Sequence, residues 1–405
     1  MAYGTILIGF NFFIWYAHTF LLKKKSAIYT DYPLFVLIGL CLTYYVPYFI
    51  FKDYQNGEMV IFELTVFYVS FIVLHILIKK RAKNKFIYTT PVNLAKIYLG
   101  TICLWIFSLA SGLDNPLLIL DRALNPRDYT HIRSSEGIIT FISIGFTFCS
   151  TYLSACEFIR EKNLRKFLIF LIFVAINLLG GGKSSMVSII LILIFAKETV
   201  SGQSVSGYSF IKYGIIALIA LILSFGLFSR AGSRTSDVGE MLSRFVEYQQ
   251  EYIFSTLLYT NANSKAGDYF LVGIYETLSA GVPRGVFPSK PQGALYTKYI
   301  NPELDISDDI NHFATYGIQL EGKLVFGWLW PIIAAFILVL YLKIPEYLSR
   351  HHETPRIFIL WNCLIIFGFI RAGVLFTTPW MTFIIIPLIY ILMGGRKYII
   401  SSRAA

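Results

Sequence analysis

The stretch "MVIFELTVFYVSFIVLHILIKKRAKNK" (residues 59–85) joins a long apolar run to a cluster of five basic residues. A helix needs about 20 apolar residues to cross the hydrocarbon core of a bilayer. The cytoplasmic ends of such helices carry an excess of lysine and arginine. The stretch therefore predicts a transmembrane helix over 59–78 whose C-terminal end faces the cytoplasm.

The same pattern extends over most of the chain. Of its 405 residues, 56% are hydrophobic and 15% are charged, whereas soluble domains carry about 25% charged residues. The mean hydropathy is +0.62. We therefore expect an all-α polytopic integral membrane protein with about eleven transmembrane helices. They are predicted over residues 2–22, 33–51, 59–78, 92–111, 137–157, 167–180, 184–196, 213–229, 324–342, 357–376 and 380–393.

The distribution of charge predicts the topology. Basic residues cluster after the first, third and fifth predicted helices, at 23–25, 79–85 and 160–166. We assign that side to the cytoplasm, which leaves the N-terminus outside and the C-terminus inside. The net charge of +11 follows from this topology and does not indicate a nucleic-acid partner. The first helix lacks a basic leader and a small-residue cleavage site, so we expect it to be retained.

The residues "GGGKSS" (180–185) divide the apolar stretch 167–196 into two short predicted helices, because glycine is unfavourable inside a helix. The motif does not match a nucleotide-binding phosphate loop, which requires a glycine where this chain has Asn177. Two interpretations stay open for Lys183: a simple turn residue, or a cation directed at an anionic lipid head group.

The segment 230–323 divides the chain into three parts. Residues 1–229 hold the predicted helices 1–8, and residues 324–405 hold helices 9–11 and a cytoplasmic tail. The segment between them lies on the predicted outer side and is too long for a simple connection, so we expect it to carry function. Mixed apolar and charged spacing predicts an amphipathic helix over 238–260. Residues 268–281 are too few and too polar to cross a bilayer and predict a helix at the membrane interface.

Within this outer segment, "SAGVPRGVFPSKPQGALYTKY" (279–299) combines prolines with cations. Pro283 restricts the backbone just before Arg284, and two further prolines flank Lys290. A stiff backbone that holds two cations suits the capture of a multivalent anion such as pyrophosphate, which arginine can bind through two hydrogen bonds.

Two further arginines are candidates for the same site. Arg371, in "FGFIRAGVLFT", lies toward the outer end of the tenth predicted helix. A charged residue at that depth is costly and indicates a functional site, although its side chain could instead reach the outer interface. Arg230 begins the large outer segment and is compatible either with a site or with an ordinary loop near a membrane.

His312 is the candidate general base, because it lies near Asp305, Asp308 and Asp309 in an outer loop. The alternative is a polar loop histidine without a catalytic role. The carboxylates match no standard calcium loop, and the five cysteines lack metal-ligand spacing. We therefore expect no metal or other cofactor.

The segments "VPRGVFPSKP" and "HFATYGIQLEGKLVFGWL", with the "GGGKSS" turn and the late "RAG", resemble bacterial O-antigen polymerases. These enzymes polymerise lipid-linked oligosaccharide repeat units. The resemblance covers roughly residues 180–376. Lys183 stands where many members of that family have arginine.

The resemblance implies a glycosyltransferase at the periplasmic face of the bacterial inner membrane. It would transfer a growing glycan from undecaprenyl pyrophosphate onto the nonreducing end of a new lipid-linked repeat unit. A chain-length regulator in the same membrane would be its partner. The departing pyrophosphate would be stabilised by cations, and His312 would act as the base, with Glu276 or Glu321 in reserve. The cations assigned to this role are Lys183, Arg230, Arg284, Lys290 and Arg371.

Two other functions remain open at the level of sequence. An O-antigen ligase, which moves finished glycan onto lipid A core, would share the lipid donor, the cations and the outer segment. A lipid-linked oligosaccharide flippase is disfavoured, because the ionisable residues gather in one long outer segment instead of inside the helices.

Overall fold

The computed structural model describes residues 2–21, 32–51, 55–78, 94–110, 118–119, 138–180, 184–201, 250–280, 282, 317–349, 356–373 and 381–392. Nearly all of these residues are helical, and within these ranges there is no β-strand. This agrees with the predicted all-α fold. The predicted helix over 213–229 lies outside the described residues.

Eight helices are described in the N-terminal half of the chain. They are α1 (Ala2–Leu21), α2 (Tyr32–Leu40), α3 (Val46–Ile50), α4 (Gly57–Ile78), α5 (Leu94–Ala110), α6 (Ile138–Glu161), α7 (Leu164–Gly180) and α8 (Ser184–Ser201). A π-helical turn, Cys41–Tyr45, joins α2 to α3 into one continuous stretch. The turn ends two residues before Pro47, which lacks the N–H that would continue a regular helix.

Seven more helices are described in the C-terminal half. They are α9 (Gln250–Leu257), α10 (Tyr259–Ser264), α11 (Phe270–Ala280), α12 (Gly317–Phe326), α13 (Trp330–Ser349), α14 (Arg356–Ala372) and α15 (Ile386–Leu392). The short 3-10 turn Gly327–Leu329 links α12 to α13, and the π-helical turn Met381–Ile385 precedes α15. Helix α12 therefore begins at Gly317, inside the segment 230–323, whereas the ninth predicted helix begins at residue 324.

The core centres on α4 packed against α13. Buried residues recur every three or four positions on each helix, which is the spacing of one helical face. They include Val60, Ile61, Leu64, Phe67 and Phe71 on α4, and Ala334, Ala335, Leu338, Val339 and Leu342 on α13. The opposite faces expose Phe62, Leu77, Ile332 and Phe336. A helix that is apolar on both faces suits a lipid environment.

A second group of helices surrounds α6, which packs against α5, α7 and α8. The α6–α7 pair is antiparallel, because Phe158 contacts Phe167 while Thr151, farther back on α6, donates to the Phe173 carbonyl at 3.4 Å. The apolar stretch 167–196 forms two helices, as predicted from its glycine turn. Helix α14 connects the two groups through contacts with α2, α8 and α13.

Polar side chains join helices inside the bundle. Asn11 of α1 donates to the Tyr45 hydroxyl at 2.7 Å and to the Thr65 hydroxyl at 3.1 Å. Asn362 of α14 donates to the Tyr32 hydroxyl at 2.7 Å. These buried contacts fix the relative rotation of the helices, since an unpaired amide in such a place is costly.

Four helical stretches are long and apolar enough to cross a membrane: Tyr32–Ile50, Gly57–Ile78, Ile142–Glu161 and Gly317–Leu348. Shorter apolar helices lie at Leu94–Ala110 and Trp361–Arg371. These helices support the membrane class of the protein. The total of eleven spans and their orientation stay predictions.

The described part of the outer segment, α9 to α11, packs at one end of the bundle. Helix α9 contacts the Cys41–Tyr45 turn, α3 and α4, and all three helices contact α12. Asn56, just before α4, donates to the carbonyl of Thr256 at 3.4 Å. The end of α3, the start of α4 and the start of α12 lie at this end of the bundle. The charge pattern predicts that these helix ends face the outer side.

Candidate functional site

Arg371 lies at the C-terminal end of α14 and is tethered by a buried carboxylate. Its Nε donates to Oε1 of Glu251, on α9, at 3.0 Å. The Glu251 side chain is 1% exposed, whereas that of Arg371 is 58% exposed. The bond uses Nε, so the two terminal nitrogens of the guanidinium take no part in it. An arginine held in this way presents paired donors to an anion.

Glu321 lies beside the same end of α14. It is buried on α12, and its carboxylate packs against the backbone of Gly373, two residues after Arg371. Gly373 has φ +102°, and a Cβ at this position would overlap the Glu321 carboxylate. Glycine is therefore required here by both its backbone conformation and its neighbour.

The π-helical turn supplies Tyr44 to this region. The Tyr44 hydroxyl accepts a hydrogen bond from the Gln319 backbone N–H at 3.4 Å, at the first turn of α12. A Cβ on Gly317 (φ +70°) would overlap this hydroxyl and approach Glu251 to 3.1 Å. Gly317 thus permits the start of α12 to pack directly against Tyr44 and Glu251, which brings α9, α12 and the turn together.

A second polar group surrounds Glu63 of α4, whose carboxylate accepts hydrogen bonds from four side chains. Tyr259 Oη donates at 2.9 Å and Lys323 Nζ donates to Oε1. Gln319 Nε2 donates at 2.7 Å and Trp330 Nε1 at 3.2 Å to Oε2. Both oxygens of this buried carboxylate are thereby satisfied, as burial of a charge requires.

Lys323 is the counter-ion of Glu63 and is itself fully buried. It also donates to Asn263 Oδ1 at 2.6 Å. Its ammonium lies 3.9 Å from the ring centroid of Tyr259 and 5.2 Å from that of Trp328. An ammonium over aromatic faces is stabilised by the ring quadrupole. The ion pair joins α12 to α4, and the contacts of Asn263 and Tyr259 attach α10 to the same group.

Tyr259 donates to a negative charge, and its ionisation is correspondingly disfavoured. Burial is the main cause that raises the pKa of the Tyr259 hydroxyl well above its ordinary value, and the charge of Glu63 adds to it. The hydroxyl therefore stays protonated and acts as a donor under ordinary conditions.

The turn between α10 and α11 is attached to the end of α12. Gly267, with φ +90°, donates its N–H to the carbonyls of Lys323 and Leu324 at 3.2 and 3.1 Å, and Tyr269 donates to Leu324 at 3.1 Å. Carbonyls in the last turn of a helix lack partners within that helix. This turn supplies them, and so fixes α10 and α11 beside the Glu63 group.

The structure brings two predicted site residues together, Arg371 and Glu321, at the contact of α12 with α14. Glu276 belongs to α11, which packs on α12. The other predicted site residues lie outside the described part of the chain: Lys183, Arg230, Arg284, Lys290 and His312. Their roles stay predictions.

Three charged residues of this region were not singled out from the sequence: Glu63, Glu251 and Lys323. The sequence does indicate a role for Glu63, because a carboxylate inside a predicted span requires a buried partner. The sequence does not indicate a role for Lys323 or Glu251, since both lie in a segment where exposed charge is ordinary. Only the folded chain shows that they are buried.

No group of three or more histidine, cysteine or acidic side chains among the described residues is placed to hold a metal ion. Comparison of the chain with protein-family models, with curated proteins and with solved structures gives no match.

Proposed function

We propose that this protein is a surface-polysaccharide polymerase of the O-antigen type, acting at the periplasmic face of the bacterial inner membrane. It would transfer a growing glycan from undecaprenyl pyrophosphate to a new lipid-linked repeat unit. The proposal rests on the resemblance of residues 180–376 to that class of enzyme. The observation that carries it is the Arg371 guanidinium, largely exposed yet held through Nε by the buried Glu251.

The chemistry of the transfer requires such a cation. The acceptor hydroxyl oxygen attacks the anomeric carbon of the donor, the bond from that carbon to the pyrophosphate oxygen breaks, and the electron pair leaves with the pyrophosphate. A guanidinium that is held through Nε can use its two terminal nitrogens to bind two oxygens of that leaving group. We assign this role to Arg371, together with Arg230, Arg284, Lys290 and Lys183.

The hydroxyl proton requires an acceptor. We assign it to His312, with Glu276 and Glu321 as reserves. Glu321 is supported by its position against Gly373, two residues from Arg371. Because Glu321 is buried, its carboxylate is held in place. It would orient a bound hydroxyl, or it would position the end of α14 that carries Arg371.

The reaction is tested in a strain that lacks the gene. A polymerase loss leaves lipid A core capped with a single repeat unit, whereas loss of a ligase leaves bare core and loss of a flippase leaves intermediates facing the cytoplasm. Survival of a normal ladder of glycan lengths would refute the proposal. Bare core would instead identify the protein as the ligase.

The site is tested by complementing that strain with single variants. Arg371→Ala should abolish the polymer while the protein still reaches the membrane. The matched control is Arg165→Ala, because Arg165 is an exposed arginine near the start of α7. A full ladder from Arg371→Ala would remove this residue from the site, and loss of the ladder from both variants would indicate a nonspecific effect of charge.

A further inference from the structure

Helix α11 (Phe270–Ala280) has one exposed apolar face. Leu271 is 77% exposed and Leu278 is 65% exposed. Ile274 and Tyr275 are also exposed and share the same side of the helix. Phe270 is exposed at the edge of this face, between Ile274 and Thr277 in the helical register. Every exposed position of α11 whose burial the structure describes is apolar or aromatic. The side that packs inward includes the buried residues Gly273 and Thr277.

This face adjoins the exposed apolar surface of a long apolar helical stretch. The rings of Phe270 and Phe326 are in contact, with centroids 6.3 Å apart. Exposed Trp328 and Leu329 follow Phe326 after one glycine. The exposed surface then continues along α13 at intervals of three or four residues, through Ile332, Phe336 and Leu340. The stretch Gly317–Leu348 is one of those long and apolar enough to cross a membrane.

The length of α11 excludes a crossing of its own. Eleven helical residues extend about 16 Å, against about 30 Å for the hydrocarbon core. An apolar face of this kind, attached beside a spanning helix, has its most favourable position at the boundary between head groups and acyl chains, where tyrosine is also favoured.

We propose that α11 is embedded in the outer leaflet, with the face formed by Leu271, Ile274, Tyr275 and Leu278 inserted among phospholipid acyl chains. Because the Gly267 turn fastens α11 to the end of α12, the inserted helix holds the Tyr259–Lys323–Glu63 group at the membrane surface.

The experiment uses the full chain in liposomes of phosphatidylethanolamine and phosphatidylglycerol. Cys103 is exposed and Cys41 is partly buried, so both are replaced, leaving three buried cysteines. An environment-sensitive fluorophore is then attached at Leu271→Cys, at Leu278→Cys or at the control Asn261→Cys, an exposed polar position on α10. Quenching is measured with brominated lipids and with aqueous iodide.

Labels at 271 and 278 should be quenched several-fold more by brominated lipid than the label at 261, and several-fold less by iodide. Equal iodide quenching at all three positions would place the face in water and overturn the proposal. Self-quenching at 271 and 278 that disappears on dilution with unlabelled protein would mean that a second copy covers the face, which also overturns it. Polymerase activity is not part of the readout, so the outcome is independent of the proposed reaction.

Discussion

Nε of Arg371 donates a 3.0 Å hydrogen bond to Oε1 of Glu251, joining two residues that are 120 positions apart in the chain. One partner is buried and the other is largely exposed. The pair therefore links a helix of the outer segment to the end of α14 and orients the exposed guanidinium.

The first prediction concerns this tether. Glu251→Ala removes the hydrogen bond, and we expect the rate of polymer formation to fall about tenfold, since a hydrogen bond to a charged group contributes about 1.5–3 kcal/mol and the partial exposure of Arg371 reduces its effect. Glu251→Gln keeps an acceptor for Nε and should retain more activity than Glu251→Ala. The measurement is polymer yield at equal protein level in membranes. Equal activity of the two variants and the unaltered protein would show that the tether has no functional role.

The second prediction concerns the shape of the cation. Arg371→Lys keeps the charge but loses the planar fork that binds two oxygens. We expect it to form far less polymer than the unaltered protein, although more than Arg371→Ala. Polymer of normal length and yield from Arg371→Lys would mean that charge alone is sufficient at this position.

The third prediction concerns the buried ion pair. Lys323→Met leaves Glu63 buried without its counter-ion, and we expect a loss of about 3–5 kcal/mol in stability. The double variant Glu63→Gln/Lys323→Met should be more stable than the Lys323→Met single variant, because the uncompensated charge is gone. Unfolding of Lys323→Met, of Glu63→Gln and of the double variant in mild detergent gives the comparison. If the double variant loses the sum of the two single losses, the residues do not interact.

The fourth prediction concerns Gly373. Gly373→Ala should destabilise the end of α14 by about 1–3 kcal/mol, because φ +102° is strained for alanine and the methyl group would displace the Glu321 carboxylate. The control is Gly368→Ala on the same helix, where a Cβ has no neighbour within 4 Å. That variant should be neutral or more stable, since alanine favours a helix by about 1 kcal/mol. Similar stability of the two variants would contradict the prediction.

The fifth prediction concerns pH. Burial raises the pKa of Tyr259 in the folded protein, and Glu63 adds to this effect. The unfolded chain has a tyrosine pKa of about 10. The contribution of Tyr259 to stability is therefore complete below that pH and is lost as the pH rises through the folded-state pKa. The stability of the unaltered protein should fall more steeply above about pH 10 than that of Tyr259→Phe. Equal slopes would exclude this contribution.

The positions of most helices could be predicted from the sequence. Long apolar runs can hide their backbone polar groups from lipid only as helices, so hydropathy indicates both the element and its approximate limits. The structure places helices at ten of the eleven predicted spans, and the remaining one lies outside the described residues. The start of α12 at Gly317 was missed, because Gln319, Glu321 and Lys323 read as a polar loop.

The site was only partly predictable. Arg371 is a candidate because a charge inside a predicted span is costly, and that cost is a property of the residue itself. Glu321 is a candidate only as a reserve base that the resemblance implies. The pairing of Arg371 with Glu251 and of Lys323 with Glu63 could not be read from the sequence. The first pair depends on where α9 meets the end of α14, and the second depends on how α12 packs against α4. In each pair the two residues are more than a hundred positions apart in the chain.

The sequence by itself therefore determined that this is a helical membrane protein with candidate cations at one predicted face, because hydropathy and charge act locally along the chain. Only the tertiary structure decided which charges are buried as partners and which guanidinium stays exposed. Burial and pairing depend on the contacts between helices, and a residue's own chemistry does not specify its neighbours.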